Sequence, residues 1–336
     1  MPFMVNRSKR KSRKEIVMSE KRRVEWIDGL RGFCMLVILW HHTDVYYAKT
    51  AAISSAFYAD NALAVFFFLS GYLFPNRENM DFGKKLCKIL TSLLIPYFIF
   101  TSIIAVPKSL INGNGELWQP YIGILLGKAS WFVTTLIVCE IIFAFLVKKG
   151  CTWICLLLLL AGIALLHIEY PDYWNVRRAM LNIVFLYAGF MYRQGGQHLE
   201  GKWQLAAFSL LAAVLLKYIY VVNPVGEMAD HTSLPYLCCY YADMFAGIVF
   251  SVSVASRILC NGCLRFVGRN SLYYYFFCGA CPTIAAIIMD RMVTPYEGFY
   301  PMVAVAYVIA VVLDTLVVMA INRIKTSFRM SEKQPC

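Results

Sequence analysis

The chain has 336 residues, of which 60% are hydrophobic and 15% are charged, and its mean hydropathy is +0.59. This balance excludes an ordinary soluble globular domain, in which about a quarter of the residues are charged. The net charge of +12 accompanies no folded soluble domain that could bind nucleic acid, so we expect it to reflect membrane topology and attraction to anionic lipid.

Long apolar segments recur along the chain. Each approaches the roughly 20 residues that a helix needs to cross the hydrocarbon core of a bilayer, and no alternating pattern typical of a membrane β-barrel competes with them. The sequence therefore predicts an all-α fold, a polytopic transmembrane helix bundle of about ten spans with short connections. The predicted spans are centred near Leu36, Phe67, Leu94, Val138, Leu158, Phe185, Leu211, Ile248, Phe277 and Val311.

The distribution of Lys and Arg predicts how the bundle is oriented. When the amino-terminal segment is assigned to the cytoplasm, most of the 32 Lys and Arg fall on that side, as the positive-inside rule requires. We therefore expect a multi-pass protein of the cytoplasmic (inner) membrane with both termini in the cytoplasm. The predicted division is a basic cytoplasmic tail at residues 1–26, a transmembrane domain at residues 27–323 and a second cytoplasmic tail at residues 324–336.

The first span, from Trp26 to His42, is the most informative segment. Asp28 and Arg31 stand at its entry and the pair His41-His42 at its far end, and ionisable side chains at membrane depth usually serve function. A rise of about 1.5 Å per residue places His42 roughly 16 Å from Arg31 along the axis. Successive side chains on a helix point about 100° apart, so we expect one histidine of the pair to face a given cavity. A neutral imidazole there can accept a proton from a substrate hydroxyl.

Besides Asp44, which lies next to the histidine pair, four further ionisable residues lie inside predicted spans. Glu140 is near mid-span, where a carboxylate needs a partner or must be neutral, and both structural pairing and membership of a site fit it. The same two alternatives hold for Asp243. We expect Lys217, near an outer boundary, to extend its ammonium to the interface, and Asp314 to form hydrogen bonds between helices.

Two cysteine pairs, Cys260/Cys263 and Cys278/Cys281, have the spacing of a zinc ribbon. A tetrahedral site needs its four ligands at one depth, whereas the first pair belongs to a predicted cytoplasmic turn and the second to an apolar run. We therefore expect no metal, and we interpret the cysteines as small residues that pack between helices.

Five motifs follow one another along most of the chain. They are Asp28-Gly-Leu-Arg31 with His42 eleven residues later, FFFLSGYLF at 66–74, Lys85-Leu-Cys-Lys88 before LIPY at 94–97, SWFVTTL at 130–136 and FVGRNSLYYY at 266–275. In this order they resemble the membrane acyltransferase family 3, the multi-span enzymes that O-acetylate cell-surface glycans. One position departs from the family, because Cys278 stands near the place where many members carry a histidine.

Each motif also has a structural interpretation that is compatible with the resemblance. Ser70-Gly71 is typical of a small-residue contact between close helices, and Asn270 is a good helix N-cap. Aromatic residues of the predicted outer segments, such as Tyr46 and Tyr47, suit interfacial belts first and sugar stacking second.

The resemblance implies an enzyme that transfers an acetyl group from cytoplasmic acetyl-CoA to a hydroxyl of a cell-surface or lipid-linked glycan. His42 is then the expected general base, with His41 in reserve and Glu140 as a further catalytic candidate. Direct transfer is favoured because no cysteine has an obvious base in the sequence, although a covalent acyl relay stays open. The residues expected to bind the donor are Asp28, Arg31, Lys85 and Lys88.

Two other classes of protein remain open at this point. A secondary transporter or a polysaccharide-export protein could use buried His, Asp and Glu residues as a proton path. A transporter predicts an internal repeat with interrupted helices, which the sequence does not show, and a polymerase or flippase predicts a larger outer loop or more spans. The identity of the acceptor and the formation of a homodimer also stay open.

Overall fold

The structure is a computed structural model of the chain. It describes residues 3–49, 53–111, 118–196, 199, 201–258 and 261–331. Within these ranges the chain consists of helices joined by turns and contains no strand, which confirms the predicted all-α class.

Fourteen α-helices follow one another through the described ranges. They are α1 (Phe3–Ala48), α2 (Ala59–Tyr72), α3 (Phe82–Ile89), α4 (Ile95–Ile111), α5 (Trp118–Leu125), α6 (Trp131–Lys149), α7 (Ile154–Ala164), α8 (Val176–Gln194), α9 (Trp203–Lys217), α10 (Leu234–Ile258), α11 (Gly262–Arg269), α12 (Ser271–Phe277), α13 (Ala280–Ile288) and α14 (Pro301–Ser331). Wider π turns join α3 to α4 at Leu90–Leu94 and extend α9 at Tyr218–Val222. The first of these turns precedes Pro96, which has no N–H to donate to the helix.

Five helical segments in the described ranges are long and apolar enough to cross a membrane, and the pair α12 and α13, bent by 53°, makes a sixth if it is one span. These helices are typical of a multi-pass membrane protein. Every predicted span centre lies in a helix, but α2 has only 14 residues and α1 carries several ionisable residues. Ten spans and the orientation of the termini therefore stay predictions. The five segments are Phe82–Val106, Trp131–Lys149, Trp203–Val222, Leu234–Ala255 and Pro301–Ser327.

The helices form two compact units. Unit 1 comprises Met1–Ala62, Leu199–Ala212 and Val249–Cys336, and unit 2 comprises Leu63–His198 and Ala213–Ile248. Unit 1 thus contains α1 and α11–α14, and unit 2 contains most of α2 and all of α3–α8. Helices α9 and α10 are divided between the two.

In unit 1, α1 packs against α11, α13 and α14. The crossing of α1 and α11 depends on two glycines. A Cβ on Gly268 would lie 1.7 Å from the backbone oxygen of Asp28, and one on Gly32 would lie 2.0 Å from that of Leu264. The two backbones are in direct contact, so only glycine fits at either position.

Unit 2 uses the same device where α2 crosses α8. A Cβ on Gly71 would lie 1.8 Å from the backbone oxygen of Leu186, and one on Gly189 would lie 1.9 Å from that of Phe68. The small-residue contact predicted at Ser70-Gly71 is therefore confirmed.

Helix α3 begins at a capping carboxylate in unit 2. Asp81 is its N-cap, and its Oδ1 accepts a hydrogen bond from the backbone N–H of Lys84 at 3.1 Å. This hydrogen bond, with the Lys84 ammonium beside it, holds the pKa of the Asp81 carboxyl below its usual value. Because the cap fixes the start of α3, it also fixes the direction in which the next turn presents Lys85 and Lys88.

Candidate active site

In unit 1, the first motif joins α1 to α11. Oδ2 of Asp28 accepts a hydrogen bond from Nε of Arg269 at 2.8 Å, and Glu25 pairs with Arg265 at 2.8 Å between charged atoms. Asp28, expected at the donor site, therefore holds two helices together in this structure. Arg31 lies one turn further along α1 and is half-buried.

The two histidines lie near the other end of α1 and contact different neighbours, as the helical period predicts. Their rings are half-buried, with centroids 5.7 Å apart. Nδ1 of His41 is 3.4 Å from the hydroxyl of Tyr58. The ring of His42 stacks on Tyr46 with centroids 6.2 Å apart and planes at 24°. The His42 ring forms no hydrogen bond with any residue that the structure describes.

Two carboxylates among the described residues act on the His41 imidazole. Asp44, fully buried three residues after His41, acts electrostatically on it together with Asp60. Oδ2 of Asp44 accepts a hydrogen bond from the backbone N–H of Ile53 at 3.2 Å, while its Oδ1 has no hydrogen-bond partner within the described ranges. His42 is faced by His41 instead, so the two imidazoles differ in their electrostatic surroundings.

Aromatic side chains of α1 fix this end of the helix against the start of α14. Nε1 of Trp40 donates to the hydroxyl of Tyr300 at 3.1 Å, and the hydroxyl of Tyr47 donates to the backbone oxygen of Thr294 at 2.9 Å. Tyr47 is fully buried, whereas Tyr46 is 41% exposed. The interfacial interpretation is therefore wrong for Tyr47, because its hydroxyl has a backbone acceptor inside the unit.

In unit 2, residues of the second and third motifs meet at Glu140, which lies four residues after the fourth. Its Oε1 accepts a hydrogen bond from the hydroxyl of Ser70 at 2.8 Å, and its Oε2 accepts one from Nζ of Lys85 at 2.8 Å. The same ammonium lies 4.0 Å from the centre of the Phe74 ring. The pairing that the sequence left open for Glu140 is thus found, and Lys85 is engaged by it. Lys88, one turn further along α3, is exposed.

The predicted site residues are therefore distributed over the two units. Unit 1 contains Asp28, Arg31, His41 and His42, and unit 2 contains Lys85, Lys88 and Glu140. Within unit 1 the histidines contact each other, and within unit 2 Lys85 and Glu140 form an ion pair.

The comparison with known families decides what kind of protein this is. The family model for the acyltransferase domain matches residues 24–323. The chain belongs to acyltransferase family 3. No curated protein and no solved structure shows a significant match to the chain. The resemblance carried by the five motifs is thus confirmed, and the helices with the family make this chain a multi-pass membrane acyltransferase.

The acyltransferase has a second buried ion pair, so the pairing that the sequence left open for Asp243 is also found. Nζ of Lys217 donates to Oδ2 of Asp243 at 2.5 Å, and the hydroxyl of Tyr220 donates to the same oxygen at 2.7 Å. Lys217 is only 8% exposed. The expectation that its ammonium extends to the interface is therefore wrong, because a buried carboxylate is within reach inside unit 2.

Asp314 of the acyltransferase is fully buried, and neither of its carboxyl oxygens accepts a hydrogen bond from a nitrogen or oxygen donor in the described ranges. Its polar neighbours are the thiols of Cys278 and Cys281. The expected hydrogen bond between helices is thus reduced to a contact with thiols, which are weak donors. Cys278 lies beside Tyr46, the residue on which His42 stacks.

The cysteine pairs do not assemble in the described part of the chain. Cys260 lies outside the described residues, Cys263 is exposed, and Cys278 and Cys281 are buried at the bend between α12 and α13. Within the described ranges, no three His, Cys, Asp or Glu side chains are arranged as metal ligands.

Proposed function

We propose that this acyltransferase resides in the cytoplasmic (inner) membrane and transfers an acetyl group from acetyl-CoA to a hydroxyl of a cell-surface or lipid-linked glycan. Family membership supports acyl transfer in general. The observation that carries the choice of base is the state of His42, a half-buried imidazole whose nitrogens bond to no described residue. Such a ring can accept a proton from a hydroxyl that approaches it.

The reaction that we propose is direct transfer. The acceptor hydroxyl gives its proton to the imidazole of His42 while its oxygen attacks the carbonyl carbon of the thioester. The new C–O bond forms, the C–S bond breaks, and the departing thiolate of coenzyme A takes the proton back from the imidazolium. His41 is the reserve base, with Tyr58 and Asp44 near it.

Glu140 has a different role in this proposal. Its carboxylate already accepts hydrogen bonds from Ser70 and Lys85, so both of its oxygens are engaged. We therefore assign Glu140 to positioning of α2, α3 and α6 and leave proton transfer to His42.

The donor carries phosphates and is made in the cytoplasm, so we expect cations at the predicted cytoplasmic ends of the helices to bind it. Arg31 lies on the same helix as His42, roughly 16 Å away along the axis, a distance that a pantetheine arm can cover. Lys88 is the exposed cation of the third motif, and Lys85 would contact phosphate only in addition to Glu140.

The decisive experiment compares His42→Gln with His41→Gln in purified protein reconstituted in nanodiscs, with labelled acetyl-CoA and unacetylated glycan extracted from cells in which the gene is deleted. Glutamine keeps size and hydrogen bonding but removes proton transfer. We expect His42→Gln to lower the transfer rate at least about a hundredfold and to leave thermal stability unchanged. His41→Gln should have a smaller effect.

A near-normal rate for His42→Gln would show that another group is the base. The control for the reaction itself is mass spectrometry of surface glycans with and without the gene, in which one acetyl group should be gained. Wild-type protein that transfers no acetyl group to any extracted glycan would overturn the proposed function.

A further inference from the structure

Three tyrosines that the proposed reaction does not use are packed together in unit 2, and we call them the tyrosine platform: Tyr220, Tyr236 and Tyr240. The rings of Tyr236 and Tyr240 are nearly parallel, at 13°, with centroids 6.4 Å apart. The ring of Tyr220 stands edge-on to both, at 84° to each. His231, which is exposed, packs its ring against Tyr236 at 4.7 Å between centroids.

The second buried ion pair holds this platform rigid. The hydroxyl of Tyr220 donates to the same oxygen of Asp243 that Lys217 contacts, and this hydrogen bond orients the Tyr220 ring. The Tyr220 ring in turn packs edge-on against Tyr236 and Tyr240. The ion pair therefore preorganises the three rings through Tyr220.

The platform lies where two candidate spans meet at one end. Tyr220 belongs to the last turn of the segment Trp203–Val222, and Tyr236 belongs to the first turn of Leu234–Ala255. The eleven residues between these segments connect them, so both rings lie at the same end of the two candidate spans. By the predicted orientation this is the outer one.

The connection between the two spans carries polar groups, and of these Ser233 and His231 contact Tyr236. The hydroxyl of Ser233 accepts a hydrogen bond from the backbone N–H of Tyr236 at 3.3 Å and donates one to the backbone oxygen of Glu227 at 2.6 Å. The backbone N–H and then the hydroxyl of Thr232 hold the pKa of the Asp230 carboxyl below its usual value. Asp230 therefore stays ionised and can accept hydrogen bonds from hydroxyls.

An ordinary aromatic belt does not explain this arrangement. Belt residues place their rings at the headgroup level of the bilayer, and Tyr218, with 57% of its surface exposed, suits that role. Tyr236 and Tyr240 instead are half-buried, parallel and braced by a third ring. Flat aromatic faces next to ionised and hydroxyl groups match the chemistry of a sugar, which has an apolar C–H face and a rim of hydroxyls.

We propose that the tyrosine platform binds a sugar ring of the acceptor glycan, with the pyranose face on Tyr236 and Tyr240 and its hydroxyls toward His231 and Asp230. This assignment rests on the proposed function, because it identifies the surface that recognises the acceptor. It makes the platform a binding site and leaves the chemical step to His42.

The test measures glycan binding directly, separately from transfer. Full-length protein in nanodiscs is applied to a printed array of bacterial oligosaccharides, with empty nanodiscs as background. We expect the wild type to bind at least one glycan. Tyr236→Ala/Tyr240→Ala should bind that glycan at least about tenfold more weakly, because aromatic stacking is lost. Tyr218→Ala, which removes an exposed tyrosine of the same interface, should bind like wild type.

Two further variants keep the test decisive if the double alanine variant does not fold. Tyr236→Phe/Tyr240→Phe keeps both rings and should retain most of the binding. His231→Ala changes one exposed side chain and should weaken binding severalfold. Wild type that binds no glycan, or unchanged binding by either His231→Ala or the double alanine variant, would overturn the platform. Wild type that binds glycan through the platform but transfers no acetyl group would overturn the proposed function alone.

Discussion

The buried ionisable residues of this acyltransferase differ in whether they have hydrogen-bonding partners. Glu140 and Asp243 each accept hydrogen bonds from one lysine and one hydroxyl. Because an uncompensated charge is costly in a low-dielectric interior, these pairs already explain why charged residues are tolerated there. His42 has no such partner among the described residues, so its presence in an apolar helix calls for another reason, and proton transfer supplies one.

Substitution of the two lysines of the third motif should affect different properties: stability for Lys85 and affinity for acetyl-CoA for Lys88. Lys85→Met leaves Glu140 buried beside Ser70 without its cation, and we expect a loss of roughly 3 kcal/mol of stability. This value is at the lower end of the range for breaking a buried ion pair, because the side chains of Lys85 and Glu140 remain 15% and 11% exposed. Lys88→Ala should leave stability unchanged and weaken acetyl-CoA binding, because an exposed cation contributes only to the ligand. Thermal unfolding in nanodiscs and equilibrium binding of acetyl-CoA measure the two effects.

The control is Lys84→Ala, which removes an exposed ammonium that pairs with Asp81 at 3.1 Å and should change neither quantity by much. In Lys85→Met/Glu140→Met the lost stability should largely return, since both charges are gone. Stability equal to wild type in Lys85→Met would contradict the ion pair. Unchanged donor affinity in Lys88→Ala would remove Lys88 from the donor site.

At the scale of helices, the architecture depends on two crossings where backbone touches backbone. We expect Gly268→Ala to destabilise unit 1 by roughly 1–3 kcal/mol or more, because the added methyl group must displace the backbone of Asp28. Gly262→Ala, in the same helix α11, meets no atom within 4 Å and should be neutral. Thermal unfolding midpoints of the two variants in matched nanodiscs test this, and equal midpoints would exclude a tight crossing.

The helices could largely be predicted from sequence, because apolar runs near the length of a bilayer identify them without reference to tertiary structure. The partners of the buried charged side chains could not be predicted from the sequence. Lys217 and Asp243 are 26 residues apart, and Lys85 and Glu140 are 55 apart, so only packing brings each pair together. Hydropathy predicts the depth of Lys217 but cannot show that a carboxylate lies beside it.

Asn270 shows the same limit within a single motif. It occupies the N-cap position of α12, as predicted, but its side chain makes no capping hydrogen bond. Its amide instead donates to the backbone oxygen of Phe266 at 2.8 Å and accepts from Asn322 of α14 at 3.0 Å. The local sequence predicts that Asn270 stands at the start of α12, but the distant helix α14 determines one of the hydrogen bonds of its side chain.

At the scale of the whole molecule, connections whose cations the positive-inside rule assigns to one side of the membrane lie close together in unit 2. In unit 2, a Cβ on Gly150 would lie 2.6 Å from Nη1 of Arg77, and Nη1 of Arg193 donates to the backbone oxygens of Tyr72 and Phe74 at 3.3 and 3.1 Å. The connections after α2, α6 and α8 therefore share one end of the unit. All three were predicted to be cytoplasmic.

The residues assigned to the other side of unit 2 also meet one another. Lys128 lies over the ring of Tyr173 at 5.4 Å, and Arg178 lies over that of Trp131 at 4.9 Å. If the prediction had missed one span between two of these connections, residues assigned to opposite sides of the membrane would contact each other at one end of the unit. The contacts thus agree with the predicted alternation, while the absolute direction rests on the positive-inside rule.

Reporter insertions into the full-length chain can determine that direction. Alkaline phosphatase needs an oxidising compartment for its disulfides, so we expect it to be inactive when inserted after Asn79 and active when inserted after Gly226. Gly226 suits an insertion because its surroundings are open, and it lies in the connection beside the tyrosine platform. A fluorescent protein that folds only in the cytoplasm should give the reverse pattern at the same two sites. Phosphatase activity at Asn79 would place α3 and Lys88 on the outer side, away from cytoplasmic acetyl-CoA, and the donor site proposed there would have to be abandoned.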